Sequence, residues 1–280
     1  MIKHLEENKL ILGFVGGGNM ASSMIAGLIR NGFPAEHIMV STPSETTRER
    51  LRATFAVTVM QDNKALVEKA DIVVLAVKPQ VLISVVSEMA VSLQKKSTLI
   101  VSVAAGIRTI SISAILGDEY PVARIMPNTP AMLGCAVSGL FVNAHVKKDQ
   151  KTFIETIARA IGSVIWLENE AKMDVVTAIS GGGPAYFFMF MEHMQKVGED
   201  LGLNAEDAKL LVLQTALGAS KMAFEHKGSL KELRENVTSP NGTTEAALKH
   251  FEKMNFETII EKAIIAATKR GEELSSEFGK

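Results

Sequence analysis

One stretch narrows the possible folds more than any other: Leu10–Met20, LILGFVGGGNM. An apolar run, Leu10–Val15, has the length of one buried strand. The chain then turns on Gly16, Gly17 and Gly18 and enters a helical pattern with apolar residues at Met20, Met24, Ile25 and Leu28. Strand, glycine turn, helix is how a dinucleotide-binding unit opens. The spacing is G-x-G-x-x-A, on Gly16, Gly18 and Ala21. Glycines let the backbone turn tightly and approach a pyrophosphate. The helix start offers N–H groups and the positive end of its dipole. The plain alternative is an ordinary strand–turn–helix, which the rest of the chain must argue for or against.

Beyond this first unit the chain repeats the alternation. Asn31-Gly32-Phe33-Pro34 stops the first helix, and Ile38–Val40 is a short second strand. An NAD site usually carries an acidic residue at this strand's end to hold the ribose 2′-hydroxyl. Here stand Ser41-Thr42-Pro43-Ser44, with Arg48, Arg50 and Arg52 beyond. Small hydroxyls near arginines tolerate a 2′-phosphate, so NADPH is the expected cofactor. The same residues also read as a turn capping a helix from Glu45. Val57–Val59 is a weak third strand, followed by Asp62-Asn63 at a turn and a helix through Lys69. Asp71–Val77 is β-branched and unbroken, a strand buried on both faces as in a parallel sheet. It ends at Lys78-Pro79, and a helix follows through about Leu93. Thr98–Val103 is a further buried strand with Ala104-Ala105-Gly106 at its end, small enough for a flat ring to approach. Val122–Met126 ends in Pro127-Asn128-Thr129-Pro130. Ala136–Val142 and Ser163–Leu167 flank a helix over Asp149–Ile161.

This alternation predicts an α/β fold: an N-terminal Rossmann-like, doubly wound parallel sheet over residues 1–167. From Glu168 to Lys280 only helical periodicity is visible, broken at Gly181–Pro184, Gly202–Asn204, Gly228-Ser229 and Ser239–Gly242. Residues 168–280 are therefore expected to form an all-helical C-terminal domain. Two of its segments, YFFMFM (Tyr186–Met191) and LLVLQTAL (Leu210–Leu217), are apolar on most of their surface. A helix apolar all round must be buried. So few residues in a handful of helices cannot cover such faces alone, and a homodimer through the helical domain is the expected solution.

Composition excludes several classes. A net charge of −1 with no long run of one sign argues against nucleic acid as the main partner. No apolar run approaches the roughly 20 residues that span a bilayer. The opening MIKHLEENK shows no signal peptide. One cysteine, Cys135, permits no intrachain disulfide and fits a reducing compartment. A cytoplasmic protein is the expectation. Cys135 has no basic neighbour in sequence and reads as a core cysteine, not a nucleophile. None of the six histidines (His4, His37, His145, His193, His226, His250) shows catalytic or metal-site spacing. There is no G-x-S-x-G and no Walker lysine.

Two glycine-rich segments in the helical half remain as candidate sites. Ser180–Tyr186, SGGGPAY, reads as a close-packed helix connection, or as exposed backbone facing nicotinamide and substrate; Pro184 suits the first turn of the next helix. Val237–Glu245, VTSPNGTTE, reads as a capped helix start, with Ser239 or Asn241 as cap of a helix over Thr243–Glu252. Glycine and two threonines at a helix N-terminus form a ready anion site that suits an amino- or imino-acid carboxylate. An alcohol dehydrogenase needs a general base near its substrate, and Ala185–Met191 offers none. A C=N bond needs less: an imine nitrogen is basic enough to arrive protonated, leaving positioning and one hydroxyl hydrogen bond to the protein.

Taken together the motifs resemble the pyrroline-5-carboxylate reductase family. The resemblance covers nearly the whole chain. It rests on GFVGGGNMA (Gly13–Ala21), AVKPQ (Ala76–Gln80), SVAAGI (Ser102–Ile107), MPNTPA (Met126–Ala131), SGGGPAYFF (Ser180–Phe188), GASKM (Gly218–Met222) and LRENVTSPNGTTEAAL (Leu233–Leu248). It implies NADPH-dependent reduction of L-1-pyrroline-5-carboxylate to L-proline, with NADH as the alternative reductant. It implies that the cofactor lies along Val15, Gly16, Gly17, Gly18, Asn19 and Met20, Ser41 and Thr42, Asn63, Ala76, Val77, Lys78 and Pro79, and Ala104 and Ala105. Ser239, Asn241, Gly242, Thr243 and Thr244 then hold the substrate carboxylate, with Asn236, Val237 and Glu170 nearby. Thr244 is the implied catalytic hydroxyl, assisting protonation of the ring nitrogen. The family dimerises through C-terminal helices, and many members assemble five dimers into a decamer. Three positions depart from its pattern: Gly182 stands for a common Ser or Cys, Asn241 for a common glycine, and Pro43 for an arginine used against the 2′-phosphate. Asn tolerates the left-handed backbone that such a glycine supplies. The alternatives are a related NADP-dependent imine or 3-hydroxyacid oxidoreductase, and a non-enzymatic dinucleotide-binding scaffold.

Overall fold

The computed structural model describes residues 9–96 and 98–279. Residues 1–8, which include His4 and most of the opening MIKHLEENK, lie outside them. Eight strands form one sheet in the order β3-β2-β1-β4-β5-β6-β7-β8. The strands are β1 (Leu12–Val15), β2 (Ile38–Ser41), β3 (Thr58–Met60), β4 (Ile72–Leu75), β5 (Leu99–Ser102), β6 (Val122–Met126), β7 (Ala136–Val142) and β8 (Gly162–Trp166). Each expected strand is present, β1, β4 and β5 trimmed by one or two residues at one or both ends and the others within one residue of the expected bounds. Every residue of β1, β2, β4 and β5 is buried, as strands covered on both faces require.

Helices cover the two faces. On one side lie α1 (Asn19–Arg30), α2 (Glu45–Phe55) and α6 (Lys148–Arg159), whose Met24, Ile25, Leu28, Leu51, Ile154 and Ile157 pack with Leu12, Phe14, Ile72 and Val74. On the other lie α3 (Asn63–Val67), α4 (Pro79–Lys96) and α5 (Thr109–Leu116), whose Leu66, Leu82, Val86, Met89 and Ile112 pack with Val15, Val73 and Leu75. Alternate residues of one strand thus feed opposite cores. The segment TISISAIL of α5 shows no clear helical period, and nothing local in the sequence marks it as a helix.

One strand departs from the expected parallel sheet: β7 runs antiparallel to β6. The connection 127–135, with a 3₁₀ turn over Thr129–Leu133, is too short for the crossover that parallel neighbours need. Cys135 is a second correction. It is exposed, not in the core, because it follows this turn and Gly134 in the left-handed conformation. Met132 and Leu133 beside it are exposed as well.

Beyond β8 the chain is helical: α7 (Lys172–Val176), a π-helical turn (Thr177–Gly181), α8 (Gly183–Asp200), α9 (Ala205–Glu225), α10 (Leu230–Asn236), α11 (Thr243–Lys253) and α12 (Phe256–Phe278). Two compact units result. One runs to Gly182 and takes the chain back from Ala266; the other is Gly183–Ile265. The change from strand to helix near Leu167 and the packing boundary at Gly182 are thus separate features. Helix α7 and the π turn are helical but pack on the sheet, where Met173 and Val176 close over Gly139 of β7. Within the second unit the apolar faces foreseen from YFFMFM and LLVLQTAL lie open in the single chain. Phe187 is 69% exposed and Leu210 64%. No helix among the described residues is long and apolar enough to cross a membrane.

Candidate functional site

Register sets the first half of the site. Val15 of β1 pairs with Ser41 of β2 and with Leu75 of β4, and Leu75 with Ser102 of β5. These four residues end their strands in one row, so the segments after them leave from a single edge, the carboxyl edge where open α/β sheets bind ligands. The candidates Gly16–Met20, Thr42, Ala76–Pro79 and Ala104-Ala105 all lie there. Asn63 opens α3, whose Asp62 cap accepts from the Lys64 N–H at 2.8 Å.

The glycine turn divides its labour. Gly16 has φ +102, and a Cβ there would stand 2.6 Å from the Ala76 carbonyl oxygen. A Cβ on Gly17 would meet Leu51 and Thr47 of α2 at 2.8 and 2.9 Å. A Cβ on Gly18 would meet nothing within 4 Å, so the protein itself does not require glycine there. Gly18 is the N-cap of α1 and has no side chain to occupy the helix start. The open space over Gly18 and the uncapped helix start fit a pyrophosphate.

At the end of β2 the structure adjusts the expectation. Ser41 is 1% exposed and Thr42 6%; the Ser41 hydroxyl is buried with no hydrogen-bond partner. Ser44 caps α2, accepting from the Thr47 N–H at 3.3 Å, as a capping turn requires. The arginines expected near a 2′-phosphate are engaged by the scaffold. Buried Arg48 donates to the carbonyls of Thr42 (2.7 Å) and Pro43 (2.9 Å) and pairs with Glu45. Arg50 donates to the Gly17 carbonyl at 2.9 Å, and Arg52 bonds Glu45 and the Val59 carbonyl. Bonding to Arg48 holds the Glu45 carboxyl below its ordinary range. The cations shape the turn while keeping positive charge beside it.

Glu170 also lies in the first unit, in a network that sequence reasoning missed. One carboxylate oxygen accepts from the Thr109 N–H (2.7 Å) and Arg124 Nη1 (3.0 Å), the other from Thr109 Oγ1 (2.8 Å). Nearby, Asp174 faces Arg108 at 3.6 Å. Burial pushes its carboxyl up from 3.8, opposed by Arg108 and Arg124 and assisted by Glu272. Asn128, beyond β6, donates to the Ser180 carbonyl at 3.1 Å and accepts from the Val137 N–H at 3.2 Å.

The remaining candidates belong to the second unit. Asn236 ends α10, and Val237, Ser239, Asn241, Thr243 and Thr244 are exposed. Neither Ser239 nor Asn241 caps α11. Gly242 is its N-cap, because a turn closed by Gly242 N–H to the Ser239 carbonyl (3.0 Å) puts that residue first in line. Asn241 takes the left-handed backbone, φ +59. Its N–H is held by Glu245 at 2.7 Å. Glu245 in turn pairs with Lys249 at 3.0 Å, and that bond, with the Asn241 N–H, holds its carboxyl below the ordinary range. Thr243 and Thr244 open the helix. Among the described residues no group of histidine, cysteine and carboxylate side chains is arranged to hold a metal.

Residues 170–274 match the family model for pyrroline-5-carboxylate reductase dimerisation, and residues 11–106 the model for NADP oxidoreductase, coenzyme F420-dependent. Over 268 residues the chain is 47% identical to a pyrroline-5-carboxylate reductase of Pseudomonas aeruginosa, covering 96% of this chain and 98% of that one. This chain belongs to the pyrroline-5-carboxylate reductase family. A Haemophilus influenzae reductase is 41% identical over 273 residues, 97% of this chain and all of its own. Among solved structures, a pyrroline-5-carboxylate reductase from Coxiella burnetii superposes with a TM-score of 0.91 at 42% identity, covering 96% of this chain and 99% of that one. A Plasmodium falciparum pyrroline carboxylate reductase with NADP bound gives 0.85 at 30% identity, covering 95% and 98%. The dimerisation model spans the unit whose apolar helix faces are open, so self-association follows from the family and from the exposed surface alike.

Proposed function

We propose that this chain is a pyrroline-5-carboxylate reductase, converting L-1-pyrroline-5-carboxylate to L-proline, the last step of proline biosynthesis. The observation that carries the reading is near-complete coverage of relatives of that name at 47% identity. NADPH, when bound, supplies a hydride for the imine carbon. The chain's residues hold and orient. Residues 1–167 would carry the dinucleotide: Gly16–Met20, at the uncapped start of α1, would hold its pyrophosphate, and Val15, Ser41, Thr42, Asn63, Ala76–Pro79, Ala104 and Ala105 would lie along the rest of it. The absence of a carboxylate at the end of β2 and the positive charge of Arg48 and Arg50 favour the 2′-phosphate.

Residues 168–280 carry the substrate and the self-association. Ser239, Asn241, Gly242 and Thr243 receive the carboxylate, with Asn236 and Val237 nearby, and Glu170 lines the site. The Thr244 hydroxyl hydrogen-bonds the ring nitrogen and assists its protonation by solvent, so that a charged C=N bond would be presented to the reductant. The open faces of α8 and α9 form a homodimer, and five dimers form a decamer. A reducing cytoplasm suits the single cysteine and the reductant.

The deciding assay is NADPH oxidation with pyrroline-5-carboxylate, set against 3-hydroxyacids and other cyclic imines. Turnover confined to the first is expected; no turnover of it overturns the reading. Thr244→Ala should lower kcat/KM about 10-fold or more, since a hydrogen bond to a charged group is worth roughly 1.5–3 kcal/mol. NADPH affinity should stay unchanged.

A further inference from the structure

Ser180 lies in the π-helical turn Thr177–Gly181, where the Gly182 N–H reaches back to the Thr177 carbonyl at 2.9 Å. In an α-helix the Ser180 carbonyl would accept from residue 184. That residue is Pro184, which has no N–H. The missing donor arrives from elsewhere in the unit: Asn128 Nδ2, at 3.1 Å. The other end of the same amide accepts the Val137 N–H at 3.2 Å. A donor on one side and an acceptor on the other leave a single orientation for the amide, and Asn128 is 8% exposed. Asn128 stands two places beyond Met126, the last residue of β6. Arg124 of β6 pairs with Ser102, so β6 ends at the same edge as the other strands. Gly181 is laid against that end, where a Cβ would stand 3.1 Å from Met126 Cε.

We propose that Asn128 is a positioning residue: it supplies the hydrogen bond that Pro184 denies to Ser180, and so fixes the Gly181-Gly182 backbone at the sheet edge where reductant and imine meet. The second clause rests on the reductase reading. Side-chain amides that complete a broken backbone ladder hold it in one of several conformations of similar energy, and π turns of this kind recur at functional sites.

The test is a double-mutant cycle on the full chain with Asn128→Asp, Pro184→Ala and the pair. Asn128→Asp keeps an oxygen for the Val137 N–H and removes the donor to Ser180. Amide exchange over residues 180–183 should accelerate, and kcat with pyrroline-5-carboxylate should fall about tenfold or more with KM for NADPH within about twofold. Acidification should recover activity relative to the parent, because the introduced carboxyl donates once protonated. Pro184→Ala returns an N–H to position 184, so the pair should regain slow exchange and most of the lost kcat. Additive effects, or Asn128→Asp with parental exchange and kcat, overturn the proposal. If Asn128→Asp does not fold, Asn128→Ala goes through the same cycle and is judged by exchange and kcat. Exchange needs no substrate. A parent that fails to reduce pyrroline-5-carboxylate therefore sinks the reductase reading, while non-additive or additive exchange still decides whether Asn128 holds the turn.

Discussion

Glu170 offers a direct test of how the first unit is held together. Glu170→Leu removes the acceptor of three bonds, two from Thr109 and one from Arg124. The Arg124 side chain is 3% exposed and that of Glu170 15%, so solvent screens the pair little. Removing one partner of a buried pair leaves an uncompensated charge and costs about 3–5 kcal/mol. Glu170→Gln keeps the shape and an oxygen for Thr109, and should cost less. The pair Arg124→Met with Glu170→Leu removes both charges, and should be more stable than Glu170→Leu alone. Urea unfolding followed by circular dichroism reads all four proteins, with a midpoint shift on the order of 1–2 M expected for the single change. A parental midpoint for Glu170→Leu would refute the argument.

The Cβ of Gly18→Val meets no atom within 4 Å, and the variant should fold like the parent yet bind NADPH at least about tenfold more weakly; Gly16→Ala, at φ +102 and against the Ala76 carbonyl, should lose roughly 1–3 kcal/mol of stability from strain alone. Equal NADPH affinity in Gly18→Val, measured by fluorescence titration, would place the dinucleotide elsewhere. Burial raises the Asp174 carboxyl above 3.8, so the folded chain keeps this proton after the unfolded chain has lost it. The stability this contributes is full below the unfolded value and is lost as pH rises through the folded one. Asp174→Asn should therefore gain on the parent in melting temperature from acid to neutral pH, and a difference independent of pH would refute this. Phe187, 69% exposed in the single chain, should be covered on self-association. Phe187→Asp should weaken it about tenfold or more, and sedimentation showing parental assembly would count against that interface.

Local chemistry was the legible part of this molecule. The run Leu12–Val15 followed by Gly16–Gly18, the unbroken apolar stretch of β4, the Ser44 cap and the Pro184 helix start all declare themselves within a few residues. So do the open faces of α8 and α9, whose apolar surplus exceeds what a small helical unit can bury. What escaped depends on pairing across sequence. Nothing near Arg124 announces Glu170, 46 residues on, and Asn128 meets Ser180 across 52. The direction of β7 is set by the shortness of a connection whose turn holds both Pro130 and Gly134. Cys135 reads as apolar by composition but sits where that turn brings it to the surface. Arg48, Arg50 and Arg52 were legible as charges near the strand end, but their engagement with the carbonyls of Thr42, Gly17 and Val59 was not.

The first unit is not continuous in sequence. It stops at Gly182 and resumes at Ala266. The resuming half of α12 fits closely: Leu274 crosses within 3.2 Å of a Cβ position on Gly106, Gly271 lies against Asp174, and Ser111 Oγ donates to the Gly279 carbonyl at 2.8 Å. A ribosome therefore delivers every strand of the sheet, then all of Gly183–Ile265, before the last piece of the first unit emerges. During synthesis the surface around Gly106 and Asp174 waits uncovered while the apolar helices of the second unit are already out. Completion of the first unit therefore follows the emergence of the open apolar helix faces of the second.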